Sequence, residues 1–215
     1  MKRLSFLILF FTFSFVNAQE YSWLYVLAGP NTSFFKTDDV ISKVKPGYQI
    51  GVGFYSESTA KLNHTFELIS IKTPIELLNE NSEYDLYNFT DFRMSYYLNY
   101  SFVNVEEDVF FYGPFAGTYF DISSVRKKGG YSPITYNPSG VNQMQISDVE
   151  KFNYGVSFGL FAGYKKFGAR IVYNLGLSNY FRNIAVQTEP GSISTEPLKG
   201  AKLSSLALNL SYVIF

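Results

Sequence analysis

The chain has no cysteine, which excludes disulfides, thiolate metal sites and acylation as a lipoprotein. It has one histidine, His64, so an enzyme relying on an imidazole base would have a single residue to draw on. No excess of either charge is present: 18 Lys and Arg balance 18 Asp and Glu, and nothing in that balance points to nucleic acid. Beyond the first residues no apolar run approaches the roughly 20 residues of a spanning helix, which excludes a helical membrane protein. Aromatics, in contrast, are abundant. The 18 Tyr and 22 Phe, with one Trp, suit strands and membrane interfaces, where a ring lies at headgroup level with its polar tip wet.

The N-terminus reads as a secretion signal. Met1-Lys2-Arg3 is a positive start, Leu4 to Val16 is an apolar run too short to span, and Val16-Asn17-Ala18 suits a signal peptidase. Cleavage is expected after Ala18, with residues 1–18 the signal and 19–215 one β domain within the size range of a single fold.

Eight strand-like segments follow: Trp23 to Asn31, Gly47 to Ser56, Lys61 to Lys72, Phe89 to Phe102, Val109 to Ile122, Asn153 to Lys165, Gly168 to Tyr180 and Lys202 to Phe215. Their connections alternate in length. Thr32 to Pro46, Thr73 to Asn88, Ser123 to Phe152 and Phe181 to Ala201 are long and hold most of the Pro, Gly and Asn that punctuate loops. Glu57 to Ala60, Val103 to Asp108 and Lys166-Phe167 are short. Long loops at one end and tight turns at the other are the pattern of an outer-membrane barrel.

Period-2 alternation separates strand from helix. Phe92, Met94, Tyr96, Leu98, Tyr100 and Phe102 alternate with Asp91, Arg93, Ser95, Asn99 and Ser101. Tyr154, Val156, Phe158, Leu160, Ala162 and Tyr164 alternate with Asn153, Gly155, Ser157, Gly159 and Gly163, and the second and seventh segments repeat the pattern. A narrow barrel needs small residues inside and lipid requires bulky apolar residues outside. The predicted fold is therefore all-β: an eight-stranded antiparallel up-and-down transmembrane β-barrel, monomeric, with four outward loops and three periplasmic turns. The first and fifth segments leave the facing open, because Phe110, Phe111, Tyr112, Phe115, Tyr119 and Phe120 fall on both faces.

The run Leu62-Asn63-His64-Thr65-Phe66-Glu67-Leu68-Ile69-Ser70-Ile71-Lys72 resembles the third strand of the PorT-like outer-membrane barrels of Bacteroidota, where Glu-Leu-Leu-Tyr-Ser-Gln-Lys is common; Ile69 and Ile71 replace two of those positions. Val26 to Asn31 resembles that family's opening strand and Asp91 to Tyr100 its fourth. The resemblance implies a role in type IX secretion or gliding. One departure stands at the C-terminus, where Leu206, Leu208, Leu210, Tyr212 and Ile214 are out of step with Phe215, so that either Ile214 takes the terminal role or the strand is bulged.

Glu67, Asp91, Arg93 and Arg170 are assigned to the lumen, where charge must be paired. A structural plug of salt bridges is the favoured reading over an ion path, and Glu67 is expected to pair with Arg93 or Arg170. His64 lies on the face opposite Glu67, with no serine two residues either side, so a lipid-modifying enzyme is the alternative and an interfacial histidine the preferred reading. A soluble lipocalin-like carrier is the other alternative; it would turn the apolar face inward, and Ser22-Trp23 lacks the Gly-x-Trp of that fold. Glu76, Glu80, Glu83 and Asp85 form an acidic loop whose spacing matches no calcium loop. Arg126-Lys127-Lys128 is a candidate contact for lipopolysaccharide phosphates. No pattern calls for a cofactor or metal. The expected partners are outer-membrane lipid, lipopolysaccharide and proteins met by the outward loops.

Overall fold

The computed structural model describes residues 22–35, 42–59, 61–78, 84–103, 110–127, 134–136, 142–144, 150–180, 184–189, 192–196 and 202–214. The expected signal segment, residues 1–18, lies outside them. Eight long strands are present: β1 (Ser22–Phe35), β2 (Gly47–Glu57), β3 (Leu62–Leu78), β4 (Tyr84–Tyr100), β5 (Phe110–Lys127), β6 (Phe152–Tyr164), β7 (Phe167–Gly176) and β8 (Leu203–Val213). Each pairs antiparallel with its sequence neighbours, and β8 returns to β1 through pairs such as Ala28↔Leu210. The closed ring leaves no unpaired strand edge, which hydrocarbon would not tolerate.

The alternation read from the sequence sets the two faces. Phe92, Met94, Tyr96, Leu98 and Tyr100 on β4, Tyr154, Phe158 and Leu160 on β6, and Leu206, Leu208 and Leu210 on β8 point outward and are exposed. Their alternates, such as Arg93, Ser95, Asn99, Asn153, Ser157 and Asn209, are buried inside. With its apolar side out, the barrel is transmembrane, and the carrier reading, which needs the opposite polarity, is overturned. Outward rings gather towards both ends. Tyr100 with Phe102, Phe102 with Tyr112, and Phe167 with Tyr212 lie 5.3 to 6.0 Å apart at the short-turn end. Phe120 with Phe152 lies towards the other.

The open facing of β5 resolves through glycine. Phe111, Phe115 and Tyr119 point inward, and across the ladder each meets a glycine of β6: Phe111↔Gly163, Phe115↔Gly159 and Tyr119↔Gly155. Tyr25↔Gly53 repeats the device between β1 and β2, and a Cβ on any of these glycines would run into the ring. Phe110, Tyr112 and Ile122 face outward and are exposed. A ring laid over a bare backbone fills a narrow lumen without swelling it. Gly163→Val, which drives two methyl groups into Phe111, is expected to lower the unfolding free energy of the purified barrel by roughly 1 to 3 kcal/mol through overpacking. An unchanged urea midpoint would remove the ring and glycine pairing from the packing.

Several strands outrun the boundaries expected from sequence. β3, β4 and β5 have 17, 17 and 18 residues, against the roughly 9 to 11 that cross a bilayer. The stretch Thr73 to Asn88, expected as loop, is mostly ribbon, with register unbroken from Thr73↔Phe89 to Leu78↔Tyr84; Thr32 to Phe35 and Ser123 to Lys127 likewise continue their strands. The cause is apolar residues kept at alternate positions beyond the membrane: Phe35, Ile75, Tyr87 and Phe89 are buried there. Tyr180, expected as strand, instead leaves the ladder after Gly176 and turns inward, its ring 6.0 Å from Phe35 and 5.6 Å from Phe89. Short strands also form within the two last outward connections. Residues 134–136, 142–144, 184–189 and 192–196 make one antiparallel sheet, joined between the third and fourth loops at Val186↔Asn142. At the C-terminus the β1–β8 register holds without shift, which disposes of a bulge among the described residues and leaves Ile214 exposed on the outward face.

Candidate functional site

All four charges assigned to the lumen are there, but in two tiers. In the upper tier, towards the long loops, Arg93 on β4 stands opposite Asp121 on β5. Its Nε donates to Oδ1 and its Nη2 to Oδ2, both at 2.7 Å, a bidentate pair that uses the planar fork of the guanidinium. The guanidinium also lies over the Tyr119 ring at 3.9 Å. Asp91, two residues above Arg93 on the same face, accepts from the Tyr180 hydroxyl at 3.1 Å. Tyr180 therefore closes the top of the lumen with its ring and ties the closure to a buried carboxylate.

In the lower tier Glu67 on β3, 1% exposed, receives the Arg170 Nη1 and the Tyr25 hydroxyl on the same oxygen, each at 2.6 Å. Arg170, rather than Arg93, is thus the partner of Glu67. The Arg170 guanidinium sits 5.1 Å from the Tyr97 ring and 4.9 Å from Phe115. Neutral donors fill the remaining wall: Ser157 donates to Asn174 at 2.6 Å, Asn174 to Ser205 at 2.9 Å, and Gln49 to Asn209.

Asp121 is the residue that sequence reading omitted. It belonged to the segment whose facing was open; once Phe120 and Ile122 are placed outward, Asp121 must face in and meet Arg93 across the ladder. Two small spaces are lined by described residues. A cavity of about 10 Å³ lies among Asp91, Arg93, Asp121 and Tyr180, and one of about 60 Å³ at the short-turn end among Trp23, Tyr55, Phe111, Glu67 and Arg170. The first holds about one water at most.

The remaining candidates do not join this constellation. His64 points outward on β3, its Nδ1 2.6 Å from the Tyr96 hydroxyl, while Glu67 faces the lumen. Ser56 stands beside it across the β2–β3 pair, but among the described residues the two share no hydrogen bond and His64 contacts no carboxylate. Of the acidic loop residues, Glu76 pairs with Lys45 at 3.1 Å, Asp85 lies in β4, and Glu80 and Glu83 lie outside the described residues. Arg126 and Lys127 end β5, in register with Asn88 and Tyr87; Lys128 lies outside the described residues.

Fold and lumen together define an eight-stranded transmembrane β-barrel whose interior is filled by ion pairs and rings. No family model and no curated protein matches the chain. Solved structures similar to it include Neisserial surface protein A, at 11% identity, covering 90% of this chain and 99% of that one with a TM-score of 0.46. A major outer membrane protein from Thermus thermophilus follows at 12% identity, 91% and 100% coverage and a TM-score of 0.46. The outer membrane protein OprG from Pseudomonas aeruginosa is similar at 9% identity, 89% and 93% coverage and a TM-score of 0.44.

Proposed function

We propose that the protein is an outer-membrane barrel with a structural or interaction role, exercised by the surface it presents outside the membrane and not by conduction or catalysis in its lumen. The observation that carries this is the closed upper tier. Arg93 is held by Asp121 and Asp91 by Tyr180, all buried, so an ion would have to break a desolvated pair to pass. Evenness of strand number puts both chain ends on the periplasmic side and gives the outer side to the long ribbons and the small sheet joining loops three and four. The resemblance of the third strand to PorT-like barrels extends the reading to a part in protein secretion or gliding; Glu67, within the run that carries the resemblance, is the lower-tier carboxylate.

Two measurements test the proposal. In cell fractionation the protein is expected in the outer membrane, migrating differently in unheated and boiled samples because an intact barrel resists detergent. In planar bilayers the refolded protein is expected to give no steady conductance. A soluble, heat-insensitive band would overturn the location, and discrete channel openings would return the lumen to the centre of the function.

A further inference from the structure

One stretch of the outward face breaks the apolar pattern. On β3 the outward residues run Phe66, Leu68, Ser70, Lys72, Pro74 and Glu76, so the strand turns from apolar to polar while still in the ladder. Register places Tyr48, Lys72, Thr90 and Ser124 in one row across β2, β3, β4 and β5. The row below it is Ile50, Ser70, Phe92 and Ile122, three of them exposed apolar side chains. Lys72 therefore marks the upper limit of the apolar belt on this side, its ammonium 5.9 Å from the centre of the exposed Tyr48 ring. Above it, Lys43, in a short strand Ser42–Val44 that pairs antiparallel with β3, lies 3.6 Å over the Tyr84 ring, and Lys45 is paired with Glu76. Among the described side chains Glu76 is the acid of this arc; it stands across the ladder from Lys43 and pairs with Lys45, so the three ammoniums of Lys43, Lys45 and Lys72 meet one carboxylate there. On β6 to β8 the outward residues towards the same end are Phe152, Tyr154, Tyr173 and Leu206, without charge.

We propose that the outward face of β2 to β4 binds a phosphate-bearing headgroup of an outer-leaflet lipid, with Lys72 and Lys43 as the phosphate contacts. It rests on the outer-membrane reading above and gives that reading a ligand class. Acyl chains lie along Ile50, Val52, Leu68 and Phe92, which hydrocarbon already wets, and the headgroup then arrives at the row of Lys72. A long Lys stem lies along apolar surface and carries its ammonium up to the phosphate level. Two such charges meeting anionic lipid at short range, with aromatic rings beneath them, favour a fixed lipid over a passing one.

The test is native mass spectrometry of the detergent-folded protein, whose folded state is first read by its heat-dependent migration, with lipid A carrying two phosphates as the probe. The wild-type protein is expected to retain the lipid. Lys43→Gln with Lys72→Gln is expected to weaken retention roughly 30-fold, from two lost contacts of the size a surface Lys makes with anionic lipid. Lys165→Gln with Lys166→Gln, in the turn at the opposite end, is expected to leave it unchanged. Equal retention of dephosphorylated lipid A, equal loss in the two double variants, or no retention by a heat-shifting barrel each overturns the site while leaving the barrel intact. Binding of inorganic phosphate as tight as that of the lipid also overturns it. Absence of the heat shift removes both the barrel and the site, since the row of Lys72 exists only in the closed ladder.

Discussion

Arg93→Ala is expected to destabilise the folded barrel by about 3 to 5 kcal/mol, the cost of stranding a buried carboxylate. The loss arises less from the missing attraction than from what stays behind: Asp121, buried, with both donors that answered it gone. Asp121→Ala strands the guanidinium instead and should cost a similar amount, softened by the Tyr119 ring beneath Arg93. Replacing both, as Arg93→Met with Asp121→Leu, removes the charge altogether and should cost much less than the sum of the single changes. Urea unfolding followed by Trp23 fluorescence suits the measurement, because the single Trp is stacked on Tyr55 inside the barrel, ring centres 5.0 Å apart, and reports on the lumen directly. If the single costs simply add, the pair is not coupled and the sealed upper tier loses its basis.

How much of this was legible in the sequence follows from what alternation can and cannot carry. Over Asp91 to Tyr100 and Asn153 to Tyr164, β4 and β6 each present one bulky apolar row and one row that is small or polar apart from Tyr97 and Phe161, so period 2 alone sets their facing, and with it the lumen positions of Arg93 and Asp91. β5 was opaque because its inward residues are as large and aromatic as its outward ones. Its facing is decided by the glycines of β6, a contact between strands that no single segment displays. Asp121 was lost with it. The ribbon beyond Lys72 was hidden for a related reason: Pro74, Glu76, Asn88 and their neighbours have the composition of a loop, and the residues that hold it as strand, Ile75, Tyr87 and Phe89, are sparse. Phe89 among them packs with Phe35 and Tyr180, which lie far from it in sequence. The partner of Glu67 was open for the same reason, since β3 and β7 are not neighbours in the ring and only the geometry of the lumen brings Arg170 to it.

Leu208→Arg has the other large expected effect, and it acts on the opposite face. Leu208 is 41% exposed at the middle of β8, in register with Ile171 of β7 and between Leu206 and Leu210, so a charge there has no polar partner and meets hydrocarbon. Arg on the lipid face of a barrel costs roughly 2 to 4 kcal/mol at the bilayer midplane and about 0 to 1 near the interface. Two outward positions further along the same face, Tyr212 stands in the ring cluster with Phe167 at the short-turn end, and Tyr212→Arg should therefore cost the smaller amount. Ile171→Arg, outward on β7 and in register with Leu208, should fall with Leu208→Arg. The measurement is the unfolding free energy of each variant refolded into lipid vesicles. What it decides is depth as well as facing, because a soluble protein with scattered surface leucines would show no gradient between Leu208 and Tyr212. Neutral results at both Leu208 and Ile171 would mean that this face does not see lipid, and the row of Lys72 would then mark no membrane boundary.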